Sequence, residues 1–114
     1  MRAYELMIIV DEDADDATLN SVVDNVGQLV DKAGGTIAST DHWGKREFAY
    51  KIDHKAAGFY VVLEIVTDAA DLGEVERVLR LADEVVRHKV MRLPDKEAKR
   101  RGLFSPAGEE AKPT

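Results

Sequence analysis

The side chains able to do chemistry are few, and their spacing argues against a reaction. Cysteine is absent from the 114 residues, which removes thiol nucleophiles, disulfides and zinc-thiolate sites. The histidines, His42, His54 and His88, share no metal-ligand spacing. Asp41 directly precedes His42, and on a strand adjacent side chains point to opposite faces, so the two form no relay. Asp11-Glu12-Asp13 gathers carboxylates without the spaced ligands and glycine of a calcium loop, which leaves a solvated turn capping a helix. Gly34-Gly35 belongs to neither a Walker loop nor a GxGxxG run and reads as a helix stop. No catalytic residue, cofactor or metal is expected.

Charge is more informative than catalysis. The formal net charge of −6 speaks against nucleic acid, because phosphates must be met by Lys and Arg. The distribution of that charge points the other way. Residues 1–40 carry two basic side chains (Arg2 and Lys32) against eight acidic ones, whereas residues 85–101 carry seven basic against two acidic. No apolar run approaches the roughly 20 residues that span a bilayer, and the start lacks a signal-peptide cleavage pattern, so a cytoplasmic protein without a membrane partner is expected.

These side chains must be positioned by a short series of elements. Residues 2–10 alternate with period two, placing Tyr4, Leu6, Ile8 and Val10 on one face and Met7 and Ile9 on the other. A helix follows, with Leu19, Val22, Val23, Val26, Val30 and Ala33 on one stripe, and Gly34-Gly35 ends it. Residues 36–52 read as a long strand whose apolar phase switches, which requires an extra residue at Trp43-Gly44. Trp43 is expected in the core there, with an interface anchor as the alternative. A strand over 59–67, a helix over about 68–83 and a last strand over 84–93 complete the order. From Pro94 the chain is charged, with little to bury. One domain over 1–93 and a charged, disordered tail over 94–114 are therefore expected. The order β-α-β-β-α-β is the ferredoxin-like α+β arrangement, a four-stranded antiparallel sheet with two helices on one face.

Two surfaces follow from that arrangement. The face without helices still carries Met7 and Ile9 and one apolar phase of the 59–67 strand, which points to a covering partner. With Val86 and Val90 inward, Arg87 and Lys89 project outward. Arg92 and Arg2 gather at the strand end, where together they form a phosphate-contacting patch. A solvated edge that uses charge against aggregation is the other reading. Asp41, His42, Arg46 and Glu47 on the second strand read as edge gatekeepers or as a charged docking strip.

The motifs resemble a known family, the bacterial ribosomal protein S-six. Met1-Arg2-x-Tyr4-Glu5 is similar to its opening, and Trp43-Gly44-Lys45-Arg46-Glu47-Phe48-Ala49-Tyr50-Lys51-Ile52 to its signature. Residues 79–92 resemble its last helical turn and final strand, and the likeness covers residues 1–93. The chain departs from the usual pattern at Lys51, where many members have Pro, and at Glu47, often basic. The resemblance implies a ferredoxin-like fold, no enzymatic activity and a ribosome-associated, cytoplasmic protein. It further implies binding to the central domain of small-subunit ribosomal RNA as a heterodimer with ribosomal protein S-eighteen. Carried over by position, it makes Arg2, Arg80, Arg87 and Arg92 RNA contacts, joined by Lys89 from the charge pattern. Asp41, His42, Arg46 and Glu47 become the partner-facing edge, beside Met7 and Ile9 on the open face. The isolated chain is expected to be monomeric. The basic run Lys99-Arg100-Arg101 lies beyond the resemblance and is a further candidate contact.

Two other functions fit the element order. An RNA-recognition-motif protein would stack bases on outward aromatics of its first and third strands, yet the first strand offers only Met7 and Ile9. A ferredoxin-like oligomeric enzyme or small-ligand sensor would need convergent polar groups between helices and sheet. Only Glu64 and His88 interrupt the apolar pattern there.

Overall fold

The computed structural model describes residues 1–52, 54–69 and 72–104; the part of the expected tail beyond Phe104 lies outside the described residues. The elements are β1 (Arg2–Asp11), α1 (Asp16–Lys32), β2 (Thr36–Ile52), β3 (Lys55–Thr67), α2 (Gly73–Leu81), β4 (Val85–Leu93) and α3 (Asp95–Arg100). The strands form one four-stranded sheet in the order β2-β3-β1-β4, each neighbour antiparallel. This is the ferredoxin-like arrangement.

The period-two pattern of β1 decides which side is the core. Tyr4, Leu6, Ile8 and Val10 pack with Val61, Leu63 and Ile65 of β3 beneath α1 and α2. The helices contribute Leu19, Val22, Val26 and Val30, and Leu72, Val75 and Leu79. α1 begins where Asp15 accepts the Thr18 amide at 2.8 Å, satisfying a donor that the first turn leaves orphaned. It ends in a Schellman motif: the Gly35 amide donates to Val30 at 2.9 Å and that of Gly34 to Asp31 at 3.0 Å. Gly34 takes φ +82°, a left-handed conformation that an L side chain would strain.

β2 carries the extra residue expected at Trp43-Gly44, since its register with β3 jumps between His42 and Gly44. A further shift lies between Ile37 and Ser39. β4 has its own irregularity beside Ile9 and Val10, where Arg87 pairs with Ile9 and Val85 with Val10. Val86 is the extra residue, so Val85, not Val86, packs with Val90 against the core.

Two further expectations need correction. α2 starts at Gly73, not near Asp68. Before it the backbone is engaged by β1: Arg2 donates to the Asp68 carbonyl at 3.1 Å and the Tyr4 hydroxyl to that of Ala69 at 3.3 Å. The Thr67 hydroxyl accepts the Ala69 amide at 3.1 Å. Backbone groups occupied in this way are not available to a helical turn. The second correction concerns the tail. Residues 94–104 are not an unstructured extension; α3 folds back so that Ala98, Leu103 and Phe104 pack on Ala3 and Leu93. Ala3 alternates with Tyr4, so this contact lies on the face opposite α1 and α2. Just enough apolar side chains follow the charged run to anchor it.

Candidate functional site

The open face is defined by the strand pairings. Glu5, Met7 and Ile9 of β1 lie beside Glu64, Val62 and Tyr60 of β3 on one flank, and beside Met91, Lys89 and Arg87 of β4 on the other. α3 covers the end near Ala3, and the opposite end is left to an aromatic group. Trp43 stacks on Tyr60 with ring centroids 6.1 Å apart and planes 8° from parallel. Phe48 meets the same Tyr60 edge-on at 6.3 Å. The Arg46 guanidinium lies over the Trp43 ring at 5.1 Å, and the Trp43 indole donates to Asp41 at 3.0 Å. The bulge thus turns Trp43 onto the open face. It is 44% exposed, so it is not the core residue that was expected.

The expected partner residues divide accordingly. Met7 is partly buried on the open face, and Asp41 and Arg46 reach the same face from β2. Edge and face are therefore continuous, with Trp43 joining them. His42 pairs with Val61 and Glu47 with Ala57, which places both on the other side of β2. Ile9 is only 3% exposed, packed where Gly58 brings the β3 backbone close and Phe48 closes over it. It supports the aromatic group from beneath and has no surface for direct contact, contrary to the expectation.

The basic residues do not form one patch. Arg87 and Lys89 pair with Ile9 and Met7 and belong to the open face, whereas Arg92 pairs with Tyr4 and belongs to the helix side. Arg2 lies at that same end, and Arg80 is exposed in the last turn of α2. Proximity at the strand end suggests a single cluster, but alternation puts odd and even positions on opposite faces. Arg87, Lys89 and Arg92 share β4, an edge strand of the sheet, and flank that edge from both sides. Among the described residues, none of Arg80, Arg87, Lys89 and Arg92 has a carboxylate in ion-pair contact. Lys55 and Arg77, by contrast, are paired within the chain, with Asp11 at 2.9 Å and Glu74 at 2.7 Å.

Of the run Lys99-Arg100-Arg101, the two arginines are engaged internally. Arg100 and Arg101 both bind Glu97, whose carboxyl is lowered to about 2 by Arg100 first and Arg101 second. Arg101 Nη1 also reaches Glu64 at 2.7 Å and Glu5 at 3.1 Å. Sequence reasoning missed this contact. Its signal was the apolar pair Leu103-Phe104 just after the charges.

Alternative chemistry finds little support in the geometry. His88 faces α2 and lies 3.3 Å from Glu76, while Glu64 is on the open face, so neither makes a polar pocket inside. Among the described residues no group of three His, Cys, Asp or Glu converges on a metal position, and no helix is long and apolar enough to cross a membrane. Among the described residues the exposed aromatics, Trp43 and Tyr50, belong to β2, not to β1 and β3, as base stacking on a recognition motif would require.

Comparison with known proteins agrees with the family resemblance of the motifs. The profile of the family described as Ribosomal protein S6 matches residues 3–92. The small ribosomal subunit protein bS6 of Corynebacterium glutamicum is 44% identical over 93 residues, 82% of this chain and 98% of that protein. Its counterpart in Symbiobacterium thermophilum is 40% identical over 92 residues, 81% of this chain and 97% of that protein. The crystal structure of 30S ribosomal protein S6 from Thermotoga maritima superposes with a TM-score of 0.79 at 29% identity, covering 90% of this chain and 96% of that one.

Proposed function

The chain belongs to the ribosomal protein S6 family of the small ribosomal subunit, and from that premise we propose that it binds the central domain of small-subunit ribosomal RNA together with ribosomal protein S-eighteen. In this reading it is a structural, non-enzymatic component, cytoplasmic and ribosome-associated, monomeric until it meets its partner. The observation that carries the reading is the row of cations along the β4 edge. Arg87, Lys89 and Arg92 of β4, with Arg80 of α2, lack ion-pair partners among the described residues and leave their charge to solvent or a partner. Unpaired, exposed guanidinium and ammonium groups suit phosphate oxygens, and they position a protein on RNA without reading its sequence.

The partner is needed for two physical reasons. A net charge of −6 opposes approach to a polyanion, so the local basic row cannot supply much affinity alone. The open face also carries Met7, Trp43, Tyr60 and Met91, an apolar and aromatic surface suited to a protein. Asp41 and Arg46 at its margin supply charge for orientation. Capture of the tagged chain from lysate at moderate salt, with identification of the co-purifying protein and RNA, tests the reading. Recovery of ribosomal protein S-eighteen and small-subunit RNA is expected. Recovery of neither, from cells actively making ribosomes, would remove the proposal.

A further inference from the structure

Glu5 and Glu64 are direct cross-strand partners on the open face. Two carboxylates so placed repel each other unless a cation lies between them. Arg101 is that cation: Nη1 bridges both, at 3.1 and 2.7 Å, while Nε donates to Glu97 at 2.7 Å. The Ser39 hydroxyl donates to the remaining Glu64 oxygen at 2.8 Å, which fixes the carboxylate in its accepting orientation. Beside this socket lies an apolar seat made by Ala3 and Leu93, filled by Ala98, Leu103 and Phe104.

The segment that fills socket and seat is weakly held. α3 has only six residues, its N-terminus lacks a side-chain cap, and Pro94 joins it to the sheet. A helix of that length does not persist by itself in water. The Arg101 ion pairs are about a quarter exposed at each partner, which makes them exchangeable with any equivalent cation. The socket and seat also run directly into the Met7–Val62 part of the open face, the next pair along the same two strands.

We propose that residues 95–104 are a displaceable strap over the end of the partner surface, and that a partner segment carrying an arginine followed closely by an apolar side chain takes its place. The incoming guanidinium bridges Glu5 and Glu64 as Arg101 does, and the apolar side chain enters the seat vacated by Leu103 and Phe104. The chemistry of the partner segment is set by the chain's own occupant, Arg101-Gly102-Leu103-Phe104. This rests on the reading above that the open face receives ribosomal protein S-eighteen.

Amide hydrogen exchange on the full-length chain tests the strap. Its donors are defined: Ala98 to Pro94, Arg101 to Glu97 and Leu103 to Ala98. Arg101→Ala without a partner is expected to speed exchange at these amides at least tenfold and leave those of β1 unchanged. Adding the partner to the wild-type chain is expected to release the same amides, and Arg101→Ala to raise the association rate severalfold. A complex that forms while these amides stay protected would overturn the strap and leave the proposed function standing. If no complex forms with the wild-type chain, the function falls and the strap's partner with it. Unchanged exchange in Arg101→Ala would overturn the anchoring role of Arg101 whatever the partner does.

Discussion

Trp43 lies parallel to Tyr60 across the β2–β3 ladder, 6.1 Å between centroids, on the sheet face that α1 and α2 leave bare. The pair is held from both sides: Phe48 meets Tyr60 edge-on and the Arg46 guanidinium covers Trp43. A large, rigid aromatic surface with a cation beside it is the kind of group that carries interface energy.

Trp43→Ala should therefore separate binding from folding. Loss of the stack costs the free protein about 1 kcal/mol. Loss of a central aromatic anchor costs the complex about 2 kcal/mol or more, roughly thirtyfold in affinity. Calorimetric titration with ribosomal protein S-eighteen and urea unfolding measure the two quantities. A stability loss of core size with unchanged affinity would return Trp43 to a structural role.

Leu63 is fully buried between the helices and β1. Leu63→Ala should destabilise the chain by about 3 kcal/mol, from lost transfer energy plus the cavity left behind. The midpoint of urea unfolding reports it. A change below about 1 kcal/mol would mean that the core collapses around the gap.

Two glycines should respond with opposite sign. A Cβ on Gly58 would sit 2.6 Å from Ile9 Cγ2 and 2.9 Å from the Val10 carbonyl, so Gly58→Ala should cost about 1–3 kcal/mol and displace Phe48. Gly27, inside α1, would place its Cβ at an ordinary 3.7 Å from Ile37, so Gly27→Ala should stabilise by up to about 1 kcal/mol. Thermal unfolding of both variants checks the pair, and equal shifts would contradict the close approach at Gly58.

The short helix of the strap should loosen in acid. The Glu97 carboxyl is depressed from 4.5 to about 2, chiefly by Arg100 and then by Arg101. A depressed carboxylate contributes stability that is complete above its unfolded value and lost as pH falls through its folded one. The methyl signals of Ala98 and Leu103 should be constant above about 4.5 and move as pH drops toward about 2. Glu97→Gln should lose that transition. Movement near neutral pH instead would assign control of that helix to another group.

Most of the framework was readable because its signals are periodic. Tyr4, Leu6, Ile8 and Val10 announced the inward face of β1, and the Gly34-Gly35 stop and Trp43-Gly44 bulge fell where backbone geometry demanded. What was hidden depended on contacts distant in sequence. Nothing local to residues 68–72 shows that Arg2 and Tyr4 hold carbonyls there and delay α2. Ile9 looked exposed by alternation, yet Phe48 and Gly58 cover it. Arg101 reads as a free cation in the sequence because Glu5 and Glu64, its partners, lie 96 and 37 positions away. Val86 misled because one irregular residue in β4 exchanges its place with Val85.

The most direct test is equilibrium binding of central-domain ribosomal RNA over a range of salt concentrations, with the chain alone and with ribosomal protein S-eighteen. Weak binding alone and tight joint binding are expected. The slope of log affinity against log salt should fall by about two when Arg87→Ala and Lys89→Ala are combined. Tight binding by the isolated chain at physiological salt, or a slope that ignores both substitutions, would contradict the assignment of the β4 edge to phosphate.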